Sequence, residues 1–262
     1  MFQPLPSPEV ADLDPFLLLH HHGPHDFGPF NQGLPFAPHP HRGFETLTFI
    51  LSGAVEHADS QGHRSTIGAG GVQWMTAGRG LVHTENLPAD MRENGGRMEI
   101  LQLWMNLPAR LKMAPPIYQG FQKEDLPVVD SGNGITTQVI SGVHHGTSGP
   151  AVSPTSLTVY SVEFRAGGNE IYELPYGEQA FLYVVTGEVV VNGKLAYTHQ
   201  QVLFELEGTT LDIQTQSEGH FILVSGAPLS EPVVQHGPFV MNSTTEILEA
   251  MRDYQQGKMG MM

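Results

Sequence analysis

Residues 39–85 decide the fold and the chemistry predicted for this chain. They open with His39-Pro40-His41-Arg42-Gly43-Phe44-Glu45-Thr46 and close with Gly80-Leu81-Val82-His83-Thr84-Glu85. Each end offers two metal-binding side chains spaced i and i+2. Because alternate side chains of a β-strand point to one face, each pair is expected to project together from its strand. Three imidazoles and one carboxylate form a mixed nitrogen and oxygen set that suits a divalent first-row metal.

The sequence between the two pairs predicts strands joined by tight turns. Residues 44–51 have the composition of a strand, Ser52-Gly53 is a turn signal, and residues 53–58 continue as a second strand. The two pairs are therefore expected to meet inside one β-barrel and to hold one divalent metal ion per chain. The candidate ligands are His39, His41, His83 and Glu85.

The whole chain predicts an all-β architecture. Its 262 residues include 30 glycines and 20 prolines, a composition typical of strands connected by many turns. Residues 184–189 repeat the pattern of residues 49–55, and this weak repeat indicates two related β-barrels in tandem. We expect an N-terminal domain over residues 1–130 that carries the metal site and a C-terminal domain over residues 131–262 without metal ligands.

The end of the chain changes character. Ser243-Thr244-Thr245-Glu246 has the form of a capping box, and apolar residues follow it at helical spacing. This pattern predicts one amphipathic helix at about residues 244–256, within the second domain and packed on a barrel.

Charge and cysteine content exclude several classes of protein. The chain has 27 acidic and 12 basic residues, for a net charge of −15 at pH 7, and so acidic a surface repels a nucleic-acid backbone. The absence of cysteine excludes disulfides and thiolate chemistry. No apolar stretch approaches the roughly 20 residues that span a bilayer, and residues 1–6 lack the features of a signal peptide. We expect a cytoplasmic protein with no membrane partner.

Three other features are given ordinary interpretations. The histidines at 20–22 follow the short apolar run 15–19 and are expected in a polar loop near the mouth of the site. Residues 108–134 are rich in proline and are expected to form an irregular connection between the halves. His57 and His63 have no paired partner, so both are expected on the surface.

Several motifs resemble those of the pirin family of the cupin superfamily. They are residues 39–46 and 73–85 around the candidate ligands, residues 13–17 near the start, and Glu231-Pro-Val-Val-Gln-His-Gly-Pro-Phe-Val-Met-Asn242 near the end. The resemblance covers nearly the whole chain. It implies a bicupin, with two jelly-roll-like β-barrels and a metal only in the N-terminal one.

The resemblance also implies a function. By motif position, the ligands of the family fall on His39, His41, His83 and Glu85, and the usual metal is iron, so Fe(II) is expected, with other first-row divalent metals as alternatives. Several members are quercetin 2,3-dioxygenases, which open the central ring of flavonols with molecular oxygen. Others, notably in animals, are nuclear cofactors that modulate a transcription factor. The alternative function is therefore a metal-binding regulatory protein that acts through a protein partner without natural turnover.

Some details of the site stay open. Glu45 is the alternative carboxylate, because many cupins take that ligand from a His-x-His-x3-Glu motif, whereas the pirin pattern favours Glu85. Arg42 and Arg79 flank the ligands and either steer an anionic substrate or form salt bridges, for example with Glu45. The histidines at 20–22 replace an acidic stretch found in many pirins, which leaves the substrate open.

Glu85 is also the candidate catalytic base. A flavonol that binds through its 3-hydroxyl oxygen has to lose the hydroxyl proton. A carboxylate beside the metal is placed to accept it.

Overall fold

The computed structural model describes residues 2–262, so position 1 of the predicted N-terminal domain lies outside the described part. The chain divides into two compact units. The first comprises the residues up to Asp12, Phe16–Glu124 and Leu229–Met262, and the second comprises Leu13–Pro15 and Asp125–Pro228. No helix among the described residues is long and apolar enough to cross a membrane.

Two antiparallel sheets form the body of the first unit. Its strands are β1 (Phe2–Leu5), β2 (Phe16–Phe27), β3 (His39–His41), β4 (Phe44–Ser52), β5 (Ala54–Asp59), β6 (Arg64–Gly68), β7 (Val72–Thr76), β8 (Leu81–Asn86), β9 (Gly96–Asn106), β10 (Ile117–Phe121), β23 (Val234–His236) and β24 (Phe239–Met241). One sheet has the order β1-β2-β9-β4-β7-β10 and the other β3-β8-β5-β6. The helices of this unit are α1 (Ala89–Asn94) and α2 (Thr244–Gln255), with 3-10 turns at Ala109–Leu111 and Lys123–Asp125, the last residue of which belongs to the second unit.

The second unit repeats this arrangement. Its strands are β11 (Val128–Asp130), β12 (Ile135–Ser141), β13 (Val143–His144), β14 (Thr147–Ser148), β15 (Thr158–Phe164), β16 (Asn169–Glu173), β17 (Gln179–Thr186), β18 (Glu188–Val191), β19 (Lys194–Tyr197), β20 (Gln201–Leu203), β21 (Thr210–Thr215) and β22 (Gly219–Gly226). A six-stranded sheet has the order β11-β12-β15-β22-β17-β20 and a four-stranded sheet the order β16-β21-β18-β19. Two units that each combine a six-stranded with a four-stranded sheet confirm the all-β, two-barrel prediction.

Two segments that we expected to be irregular form strands of the first unit. The histidines at 20–22 lie in the middle of β2, which pairs along its length with β9, so the predicted loop is wrong there. The predicted connection 108–134 contains β10, which pairs with β7 from Ile117 to Phe121. Proline residues lie on either side of β10, but the strand itself contains none and extends the edge of the sheet.

The C-terminal segment packs within the first unit, whereas the sequence analysis placed it in the second domain. An apolar cluster joins it to β8 and consists of Val82, Phe239, Met241, Ile247, Ala250 and Met259. The backbone of β24 also bonds to the turn between β3 and β4, because the Val240 amide donates to the Arg42 carbonyl over 3.0 Å. Gly43 permits this approach: its φ is +89°, and a Cβ atom there would lie 1.9 Å from the Val240 carbonyl oxygen.

The predicted capping box of α2 is present. The Glu246 amide donates to the Ser243 hydroxyl over 3.3 Å, and the Glu246 carboxylate accepts from the Asn242 amide over 3.0 Å. The Ser243 hydroxyl therefore satisfies an amide of the first helical turn, and the Glu246 carboxylate binds the amide of the residue before the cap.

A buried lysine ties the C-terminal segment to the first sheet. The ammonium group of Lys112 donates to the Asn106 side-chain oxygen (2.6 Å) and to the carbonyls of Gly43 (2.8 Å) and Val240 (3.0 Å). Burial lowers the pKa of Lys112 to about 8, an effect that Glu231 and Glu246 partly oppose, so the group is still protonated at pH 7.

We expect Lys112→Met to lower the free energy of unfolding by about 2–3 kcal/mol, since three buried acceptors lose a charged donor. Lys258→Met is the control, because Lys258 pairs with Asp253 at 2.8 Å but is 56 % exposed, and its loss costs less than about 1 kcal/mol. Denaturant titration followed by circular dichroism measures both. Equal effects in the two variants would contradict the structural role given to Lys112.

Candidate metal centre

The three predicted histidine ligands converge on one face of the four-stranded sheet. Strand β3 pairs with β8 so that His39 lies opposite His83, and the two-residue period of β3 puts His41 on the same face. Their ring centroids are 4.4–4.8 Å apart, and one nitrogen from each ring lies within 4.8 Å of the others. The structure therefore brings the three histidines together.

The protonation of these rings suits a metal ion. The Nδ1 atom of His39 lies 2.8 Å from the Ala37 carbonyl, which can only accept, so Nδ1 carries the proton and Nε2 presents its lone pair. That Nε2 lies 3.0 Å from Nε2 of His83. Burial lowers the pKa of His39, brings that of His41 to about 3, and takes that of His83 well below its usual value. All three imidazoles are therefore neutral at pH 7, the state in which histidine binds metals.

An unsatisfied atom at the site also fits a cation. The buried Nδ1 atom of His83 has no hydrogen-bond partner among residues 2–262. Buried polar nitrogens without partners are uncommon, and imidazole nitrogens are donors that first-row divalent ions prefer. The donor set thus fits a first-row divalent ion.

Glu85 lies beside this group of nitrogens but outside the set that is mutually within 4.8 Å. It stands two residues after His83 on β8 and is buried. Its carboxylate accepts from the Gln102 amide over 3.0 Å and from the Thr48 hydroxyl over 3.4 Å. Burial raises the pKa of Glu85 to about 7, an effect that the bonds from Gln102 and Thr48 partly offset. A carboxylate held so far from water is stabilised by a nearby cation.

Glu45, the alternative carboxylate, points away from the histidines. Its Oε1 atom accepts from the Thr76 hydroxyl (2.6 Å) and from the Trp74 indole nitrogen (3.1 Å). Strand alternation puts Glu45 on the face of β4 opposite to Thr48, which contacts Glu85. The geometry therefore favours Glu85 over Glu45 as the fourth ligand.

The two arginines near the ligands differ in role. The Arg42 guanidinium pairs with Asp253 of α2 at 3.0 Å and donates to the Arg79 carbonyl over 2.7 Å. The salt bridge suggested with Glu45 is thus formed with the C-terminal helix instead. Arg79 is exposed.

His57 belongs to the site, although we expected it on the surface. It is buried, its ring lies 5.4 Å from that of His83, and it stacks on Tyr118 of β10 at 4.2 Å. Its Nε2 atom lies 3.2 Å from the Asp59 carboxylate. The signal was present in the sequence, since Val55, His57 and Asp59 alternate along one strand and so share a face. His63 is exposed, as expected.

The opposite sheet contributes a polar and aromatic wall. His20 of β2 lies directly opposite Gln102 of β9, so the two share a face, and His22 follows two residues later. The Gln102 side-chain oxygen accepts from the Trp104 indole over 3.1 Å, and the Trp104 ring lies 5.4 Å from that of His41. His21 points the other way and bonds to Glu99 at 2.9 Å.

Comparison with known families agrees with this arrangement. Residues 2–105 match the family model described as Pirin, and residues 159–260 match the Pirin C-terminal cupin domain. The chain belongs to the pirin family. Human pirin is 37 % identical, with 97 % of this chain and 85 % of that protein covered. A pirin-like protein of Caulobacter vibrioides is 38 % identical, with 97 % and 90 % covered.

Solved structures of similar proteins share the fold of this pirin. A quercetin 2,3-dioxygenase from Acinetobacter baumannii superposes on this chain with a TM-score of 0.90 and is 37 % identical to it. The alignment covers 95 % of this chain and 87 % of the dioxygenase chain.

Two substitutions test which of the two carboxylates, Glu85 or Glu45, binds the metal. We expect Glu85→Gln to weaken metal affinity about tenfold while the three imidazoles still hold the ion, and Glu45→Gln to leave affinity unchanged within about threefold. Calorimetric titration of the metal-free variants with cobalt(II), an air-stable probe, measures both. A larger loss in Glu45→Gln would exchange their roles.

Proposed function

We propose that this pirin is a metal-dependent dioxygenase that opens the central ring of flavonols such as quercetin, with molecular oxygen as co-substrate and Fe(II) as its metal. The observation that carries the proposal is the set of three neutral, convergent imidazoles beside a buried carboxylate. The similarity to the quercetin 2,3-dioxygenase of Acinetobacter baumannii supports the substrate class.

The proposed ligands are His39, His41, His83 and Glu85. When bound, the ion supplies a Lewis acid for the flavonol oxyanion and the redox chemistry for oxygen. Three neutral imidazoles and one carboxylate leave a divalent ion with a net charge of about +1, which favours an anionic substrate oxygen at an open position.

Glu85 is the proposed base. Its carboxylate accepts the proton of the flavonol 3-hydroxyl, which leaves the oxyanion on the substrate. Gln102 donates to one carboxylate oxygen and Thr48 to the other, so the group is oriented before substrate arrives. Its burial excludes water that would otherwise compete for the proton.

Aromatic side chains near the histidines suit a flat substrate. Trp104 and Tyr118 are half-buried and flank the cluster through His41 and His57. The half-buried His20 and His22 replace the acidic residues found in many pirins and lower the negative charge on this wall. Both features favour a polyphenol that binds as an anion.

The first test is metal analysis of the purified protein together with a quercetin assay of the iron-loaded form. We expect about one metal ion per chain and an oxygen-dependent loss of the flavonol absorbance. Both should be lost in His41→Ala, which removes a ligand, and kept in the control His236→Ala, because His236 is exposed on β23.

Metal binding without turnover, or with kcat/KM far below about 10⁴ M⁻¹s⁻¹, would overturn the dioxygenase proposal. It would favour the alternative, a metal-binding regulatory protein. No binding of any first-row metal would overturn the metal centre itself.

The role of Glu85 as base has its own test. At saturating metal, we expect Glu85→Gln to keep most of its iron and to lose turnover by about 100-fold or more, because glutamine cannot accept the proton. Iron content and kcat are measured on the same sample. Full turnover in this variant would mean that another group removes the proton.

A further inference from the structure

A second group of metal-binding side chains lies in the second unit. One nitrogen each from His144 and His145 and a carboxylate oxygen of Glu170 lie within 4.8 Å of one another. His144 ends β13, His145 begins the turn that follows, and Glu170 lies on β16. None of the three belongs to the first centre, and the C-terminal domain was expected to lack metal ligands.

The backbone brings two consecutive histidines to one side. Neighbouring residues of a strand point to opposite faces, yet these two ring centroids are only 4.3 Å apart. His145 and Gly146 form the two-residue turn between β13 and β14, and their φ angles are +45° and +76°. This turn type favours Asn, Asp or Gly at its first position, so a histidine there is held in an unfavourable conformation that turns its ring toward His144.

His144 has an unused nitrogen in the protein interior. The residue is 5 % exposed, and its buried Nε2 atom has no hydrogen-bond partner among residues 2–262. Its ring stacks on Tyr172 at 4.8 Å, which fixes its orientation. Burial lowers the pKa of His144, an effect that His145 adds to and Glu170 opposes.

Glu170 is held as a carboxylate. Burial alone would raise its pKa, but hydrogen bonds from Ser131, His145 and the Ile171 amide outweigh burial and lower it. Its Oε1 atom lies 3.2 Å from Nε2 of His145. An ion pair between His145 and Glu170 would explain that contact by itself, but it leaves the buried nitrogen of His144 without a partner.

We propose that His144, His145 and Glu170 form a second binding site for a divalent first-row transition metal ion. Ligand atoms about 2.0–2.2 Å from such an ion lie roughly 3 Å from each other, which is the separation already present between His145 and Glu170. The cation replaces the direct contact between these two groups, and His144 supplies the third ligand. A cavity of about 650 Å³ borders the three side chains and leaves room for water beside the ion.

The consequence of this second site is mechanical. The ion links the β13–β14 hairpin to β16, two elements that belong to different sheets of the unit. Two imidazoles and one carboxylate bind zinc, cobalt, nickel or iron.

Zinc binding to the full chain tests the proposal. The first centre is disabled with His41→Ala and His83→Ala, and the metal-free protein is titrated with zinc(II) by calorimetry, with metal content checked after dialysis. We expect the native chain to bind two zinc ions and the double variant one. Adding His144→Asn or Glu170→Gln to the double variant should weaken the remaining site at least tenfold.

Two further measurements complete the test. His236→Asn in the same background removes an exposed histidine and should leave zinc binding unchanged, which separates the site from general surface binding. Glu170→Gln keeps the contact with Ser131. This variant therefore still tests the site if His144→Asn does not fold. The proposal is wrong if the double variant binds no zinc below about 100 μM, or if binding is unaffected by both His144→Asn and Glu170→Gln.

Discussion

The pairing of β3 with β8 is the constraint on which the candidate centre depends. Because His39 lies directly opposite His83, the strand period delivers His41 and Glu85 to the same face without further design. A slip of β3 by one residue in this register would turn His39 and His41 to the face opposite that of His83 and Glu85. The tail fixes that register from behind, since Val82, on the outer face of β8, packs against β24 and α2.

The sequence predicted the elements whose signals are local. The i, i+2 pairs located three imidazoles that the structure brings within reach of one ion, and the capping box located α2. The two-residue period of the strand also gave the face on which His57 lies. An isolated histidine is more often an ordinary surface residue, and only the pairing of β5 with β8 distinguishes a surface histidine from one at the site. Tyr118 reaches the site through β10, whose strand partner is distant in the sequence. The packing of residues 229–262 on the first unit depends on similar long-range contacts, which no local pattern reveals.

The two histidine groups differ in how they are made. The first uses a strand pair, so its geometry follows from regular backbone and tolerates no loop movement. The second uses a turn residue in the left-handed region, which costs conformational energy and is retained where the surroundings or a ligand compensate. In both groups a buried imidazole nitrogen has no hydrogen-bond partner among residues 2–262, Nδ1 of His83 in the first and Nε2 of His144 in the second.

The order of elements along the chain affects how the protein is made. Strand β24 and helix α2 complete the first unit, but in the sequence they follow all of residues 125–228, which belong to the second. During synthesis β3 and β8 therefore emerge well before β24 and α2, the segment that packs against them. The first unit therefore reaches its final packing only after the residues of the second have been translated.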